Sequence, residues 1–88
     1  MPPHFHPGQD ELFEFHSDAV FELNGKQFRV RKGDWVSVSA GEIHAIYALP
    51  ERFGLFIPLR FPYRPDDKYA PTGEQIIHEK HLQQAVNC

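Results

Sequence analysis

Two histidines, His4 and His6, stand one residue apart near the start of the chain, and a glutamate, Glu11, follows five residues after the second. In an extended stretch both imidazoles project to the same side, because side chains of a strand alternate with period two. A turn through Pro7, Gly8 and Gln9 would bring Glu11 back beside them. Glu11 opens a segment whose same-face residues, Phe13 and Phe15, are apolar, so its carboxylate heads a line of buried side chains and needs a compensating charge. A divalent cation held with neutral imidazoles supplies that charge. His44 is the fourth candidate: it begins the segment HAIYAL, shares a face with Ile46 and Ala48, and follows WVSVS through a short glycine turn. Hairpin returns of this kind set the starts of distant strands side by side in a small barrel. His4, His6, Glu11 and His44 would then offer three neutral nitrogens and one anionic oxygen. Such a set suits one divalent transition metal, Fe, Mn, Ni, Cu or Zn, and is poor for Ca or Mg, which want oxygen. Four ligands leave an octahedral metal two open positions for substrate or dioxygen.

The elements that must carry these ligands read as short strands. Runs rich in Phe, Val and Ile recur with turn residues between them, the pattern of an antiparallel sandwich or barrel. Strands are expected near Leu12–His16, Ala19–Leu23, Phe28–Arg31, Trp35–Ser39, His44–Leu49 and Gly54–Phe61. Asn24 and Gly25 mark a tight hairpin, because both tolerate the positive φ of the favoured two-residue turns. Lys32–Asp34, Ala40–Glu42 and Leu49–Gly54 supply further turns. After Phe61, Pro62, Pro65 and Pro71 forbid a regular ladder and predict a loop that wraps the barrel. Thr72 as N-cap, with Gln75 three residues on, predicts a short C-terminal helix through IIHEKHLQQAV.

Composition excludes several classes of function. At 88 residues the chain supports one domain with a modest core. Its 9 Lys and Arg against 12 Asp and Glu provide no basic field for a phosphate backbone, so no nucleic-acid partner is expected. No apolar run approaches the roughly 18 residues of a membrane span, and the start, MPPHFHPGQD, lacks the layout of a signal peptide. A soluble cytoplasmic protein without membrane contact is expected. The single cysteine, Cys88, permits no internal disulfide, so packing, pairing or metal must hold the fold.

The order HFHPGQDE, then ELFEFHSDAVFELNG, then VRKGDWVSVSAGEIHA resembles the two sequence motifs of the cupin superfamily. The first motif has His-x-His, three or four residues, then Glu; His4, His6 and Glu11 match it. The second has glycine, five residues, proline, x, glycine, two residues and histidine; Gly33, Gly41 and His44 match, while Ser39 replaces the proline. Ala48 stands where the family often has asparagine, and Ser17 or Asp18 where the first motif places a glycine. The likeness covers about residues 4 to 48. It implies an all-β fold, a small antiparallel jelly-roll barrel over residues 1–61, with the proline-rich loop and short helix of residues 62–88 packed on that barrel or on a partner chain. It also implies a single metal and a small-molecule ligand. The chemistry would be that of a dioxygenase or an isomerase-type enzyme, or alternatively a non-catalytic binding or sensor module.

The remaining residues read more plainly. Phe13, Phe15, Phe21, Leu23, Phe28, Val30, Val36, Val38, Ile46 and Ile57 are expected in the core. Leu12, Trp35 and Tyr47 would face outward although large and apolar, which fits an outer face covered in a homodimer. His16 would lie opposite to Glu11 and at the surface; His78 and His81 would sit on a solvated helix face. Arg52, Arg60, Tyr63 and Arg64 flank the loop after the barrel; they read first as rim groups, with contact to an acidic ligand as the lesser reading. No general base stands out beyond the ligands themselves.

Overall fold

The structure is a computed structural model that describes residues 1–49 and 56–76. Among the described residues six strands follow one another: β1 (Asp10–Phe15), β2 (Ala19–Leu23), β3 (Lys26–Val30), β4 (Trp35–Val38), β5 (His44–Ala48) and β6 (Phe56–Phe61). They form two antiparallel three-stranded sheets, ordered β4-β1-β6 and β3-β2-β5. The all-β class follows from the alternation that the strands carry. In β1, Glu11, Phe13 and Phe15 are buried while Leu12 and Glu14 are only half-buried. Turn chemistry fixes the register. Asn24 and Gly25 take φ of 50° and 84° between β2 and β3, as a two-residue hairpin loop requires, and this sets Phe21 opposite Phe28.

The core fills the space where the sheets meet. Phe13, Phe15 and Phe21 are its largest members, joined by Ala19, Val30, Val38 and Ile46. Phe13 of one sheet meets Phe21 of the other edge-on with ring centroids 5.4 Å apart, and Phe15 meets Phe21 likewise at 5.9 Å. Edge-to-face pairs of this kind add about 0.5–1.5 kcal/mol each beyond the area they bury. Leu23 and Val36 pack against this cluster half-buried.

Two expected core residues lie at the surface instead. Phe28 is 41% exposed, because β3 is the outer strand of its sheet; its ring reaches Phe21 at 5.6 Å and has open space on its other side. Ile57 is 44% exposed, because Phe56 and Pro58 pair with Phe15 and Phe13 on the inner face of β6 and the period of two turns Ile57 outward. Trp35 and Tyr47 are exposed as expected, and His16 sits at the surface, where it meets Glu14 at 3.1 Å.

The segment before β1 extends the second sheet. Met1 and His4 pair with Ile46 and His44 along the edge of β5 that β2 leaves open. Phe5 in turn exchanges both backbone hydrogen bonds with Tyr69, at 2.9 Å each, and Tyr69 bridges to Gln75. The helix expected from Thr72 is not formed through Ile76: these residues make a turn, with Gly73 at φ 97°, and the bridge at Gln75. The rest of that expected helix, with His78, His81 and Cys88, lies outside the described residues, as does Arg52. Among the described residues no helix is long and apolar enough to cross a membrane.

Candidate metal centre

His4, His6, Glu11 and His44 are brought together, each buried, with one potential ligand atom from each lying within 4.8 Å of all the others. Local chain geometry explains the gathering. Residues 4 and 5 are extended, pinned between β5 and Tyr69, so His4 and His6 share a face. Pro7 and Gly8 then turn the chain, and the Gln9 N–H reaches back to the His6 carbonyl at 3.4 Å, which starts β1 with Glu11 pointing inward. The turn before β5 is tied to the same place: Gly41, at φ 85°, donates its N–H to the His6 carbonyl at 3.0 Å. His44 follows, facing Leu23 of β2 and reaching Glu11 across the gap between the sheets. Phe13 and Phe21 form the apolar floor, their rings 5.5 and 6.3 Å from that of His44.

Hydrogen bonding sets the tautomer of all three rings. Nδ1 of His4 meets the Pro2 carbonyl at 2.9 Å, Nδ1 of His6 the Asp67 carbonyl at 2.5 Å, and Nδ1 of His44 the Glu42 carbonyl at 3.2 Å. A carbonyl oxygen only accepts, so each Nδ1 carries the proton and each neutral ring keeps its acceptor lone pair on Nε2. This is the arrangement by which outer partners orient metal-binding imidazoles. The Nε2 atoms of His44 and His6 lie 2.8 and 3.1 Å from Oε1 of Glu11. His44 Nε2 and both Glu11 oxygens are buried without a hydrogen-bond partner. Two acceptors this close repel unless a proton or a cation lies between them. Two donor atoms each about 2.1 Å from one metal at right angles would stand roughly 3 Å apart, so the observed spacing fits shared coordination.

The protonation states favour the same use. Burial pushes His4 from 6.5 down to about 3; the Pro2 carbonyl opposes this, while the neighbouring His44, Lys68 and His6 add to it. Burial alone would raise the Glu11 carboxyl, but His44 and His6 outweigh it and hold it at about 2. Near neutral pH the site therefore presents an uncharged His4 and an ionised Glu11, the forms that bind a metal.

Three supporting residues carried no signal of their own in the sequence. Asp67 holds His6 through its carbonyl, and its Oδ2 accepts from the Gly8 N–H at 2.7 Å and from Gln9 Nε2 at 3.3 Å. Gln9, 2% exposed, also donates to the Arg64 carbonyl at 3.0 Å and accepts from the Arg64 N–H at 2.7 Å, which clamps the later loop onto the first turn. Lys68, 7% exposed, lies against the site. Its burial lowers its pKa, Arg60 lowers it further, and Glu11 acts in the opposite sense.

The sequence matches no protein-family model, and no curated protein matches it as a relative.

Proposed function

We propose that this chain is a small cytoplasmic cupin whose sheets close into a jelly-roll barrel around one divalent transition metal, Fe, Mn, Ni, Cu or Zn, held by His4, His6, Glu11 and His44. The observation that supports this most is the convergence of three Nε2 lone pairs on one ionised, buried carboxylate whose oxygens lack hydrogen-bond partners. Bound there, a metal supplies Lewis-acid activation of an oxygen group or, if redox-active, a site for dioxygen. The reading is therefore a dioxygenase or isomerase-type enzyme acting on a small organic molecule. The residues of the chain contribute the rest: the three carbonyl-anchored imidazoles fix the donor directions, and Phe13 and Phe21 exclude water from below. A non-catalytic binding or sensor role is the second reading, favoured by how closed the site is, since each of the four ligand residues is at most 2% exposed.

A second copy of the chain would cover the outer face of the β4-β1-β6 sheet. Trp35, Ile57, Leu59 and Phe61 stand there between 41% and 54% exposed, and apolar residues grouped on one exposed face mark an interaction surface.

The test is metal titration of the purified chain followed by oxygen uptake and isomerisation assays on small hydroxy acids and sugars. One tight site with turnover supports the enzyme. One tight site without turnover on any of them favours the binding module, and no tight site rejects both.

A further inference from the structure

We infer that Lys68 and Arg60 form an anion subsite beside the metal centre, and that the small molecule taken there carries a carboxylate. The inference rests on the metal reading above and names the class of its ligand.

The topology places both cations on the inner side. Phe5 and Tyr69 are bridge partners whose rings stack at 5.8 Å on one face. By alternation, their neighbours His4, His6 and Lys68 project to the other face, toward Glu11. Arg60 is the register partner of Glu11 across β1 and β6, which puts the two side chains next to each other on the inner face. Its guanidinium is held 4.9 Å over the Tyr63 ring.

The side-chain ammonium of Lys68 has no hydrogen-bond or ion-pair partner among the described residues, although the residue as a whole is 7% exposed. Its ammonium is not among the fully enclosed polar atoms, and a cation that reaches the edge of the site with no acidic side chain on it marks a place where something anionic belongs. The nearby acids do not provide it. Asp67 turns its carboxylate to Gly8 and Gln9, and Asp10 turns its own to the Ala40 N–H at 2.8 Å. Glu11 is the metal's own anionic ligand and cannot balance a divalent ion and two further cations. A ligand carboxylate placed between the metal, Lys68 and Arg60 would balance them. Among the described residues no helix N-terminus points here, so the donors are those of a carboxylate site, with Arg60 offering a planar fork and Lys68 a point charge.

The test uses the full chain loaded with cobalt(II), whose visible absorption reports ligation. Glycolate is titrated against its neutral counterpart glycolamide in the parent, in Lys68→Met, which keeps the apolar stem, and in Arg60→Gln. The parent should bind glycolate at least about tenfold more tightly than glycolamide, and each variant should lose most of that preference while retaining one equivalent of cobalt. Lys68→Met should also bind cobalt more tightly without glycolate, because a like charge has gone. Cobalt uptake with the preference intact in both variants, or with none in the parent, would overturn the subsite and leave the metal reading standing. No cobalt uptake by the parent would overturn both.

Discussion

Replacing Glu11 by glutamine separates a metal ligand from a structural residue. The side chain is 2% exposed and nearly isosteric with glutamine, so packing against the site is kept. In the metal-free protein both Glu11 oxygens are buried without a hydrogen-bond partner, whereas the variant's amide can donate to an imidazole Nε2, a gain of about 1 kcal/mol. Loss of the ionised carboxylate, which His44 and His6 stabilise against its burial, offsets it by a similar amount. The metal-free variant should therefore unfold within about 1 kcal/mol of the parent. With metal the two should diverge. At a metal concentration of about 100 times Kd the parent gains about 2.7 kcal/mol, which for a domain this size raises Tm by roughly 11–22 °C. Loss of the only anionic ligand, taken as about a hundredfold in affinity, reduces that gain to about 0.4 kcal/mol, or roughly 2–3 °C. Thermal unfolding of both proteins, with chelator and with metal, measures all four values. A variant that keeps the full metal-induced shift would refute the assignment of Glu11, and one that is already several kcal/mol weaker with chelator would make it a folding residue instead.

Acid should destabilise the metal-free protein. Between pH 6.5 and about 3 the unfolded chain protonates His4 while the folded chain does not, and between 4.5 and about 2 the same holds for Glu11. Stability should thus be fully present near neutrality and fall by up to about 1.4 kcal/mol per pH unit per group through those windows; a flat urea midpoint from pH 7 to 4 would contradict this. Gln9→Ala removes both hydrogen bonds that clamp Arg64, and should lower stability by about 1–3 kcal/mol and metal affinity with it, measured by denaturation and by competition with a chelator. Phe13→Ala, at a position with 0% exposure, should cost about 3–5 kcal/mol by the same denaturation assay. If a second copy covers Trp35 and Leu59, Leu59→Asp should shift light-scattering mass from two chains to one; a parent already monomeric at micromolar concentration would remove that proposal.

What could be read from the sequence was whatever depends on short-range pattern. The period of two located the six strands of the described residues, Asn24-Gly25 located the hairpin, and the Pro7–Gly8 turn returned Glu11 to the two histidines. His44 could be placed because a short glycine turn and an apolar run fixed which way it faced. Position within a sheet was harder to read: Phe28 has a core residue's chemistry but sits on an outer strand, and Ile57 differs from Phe56 only by which face the register gives it. Lys68 and Asp67 were illegible for another reason. They reach the centre through the pairing of Phe5 with Tyr69, more than sixty residues apart, and nothing local in DDKYAP announces that contact.

The most direct test is elemental analysis of protein purified without added metal and without an affinity tag, beside His44→Ala. About one equivalent of Fe, Mn, Ni, Cu or Zn per chain is expected in the parent, and its loss in the variant. A parent that carries no metal, and takes up none on reconstitution, would contradict the metal assignment.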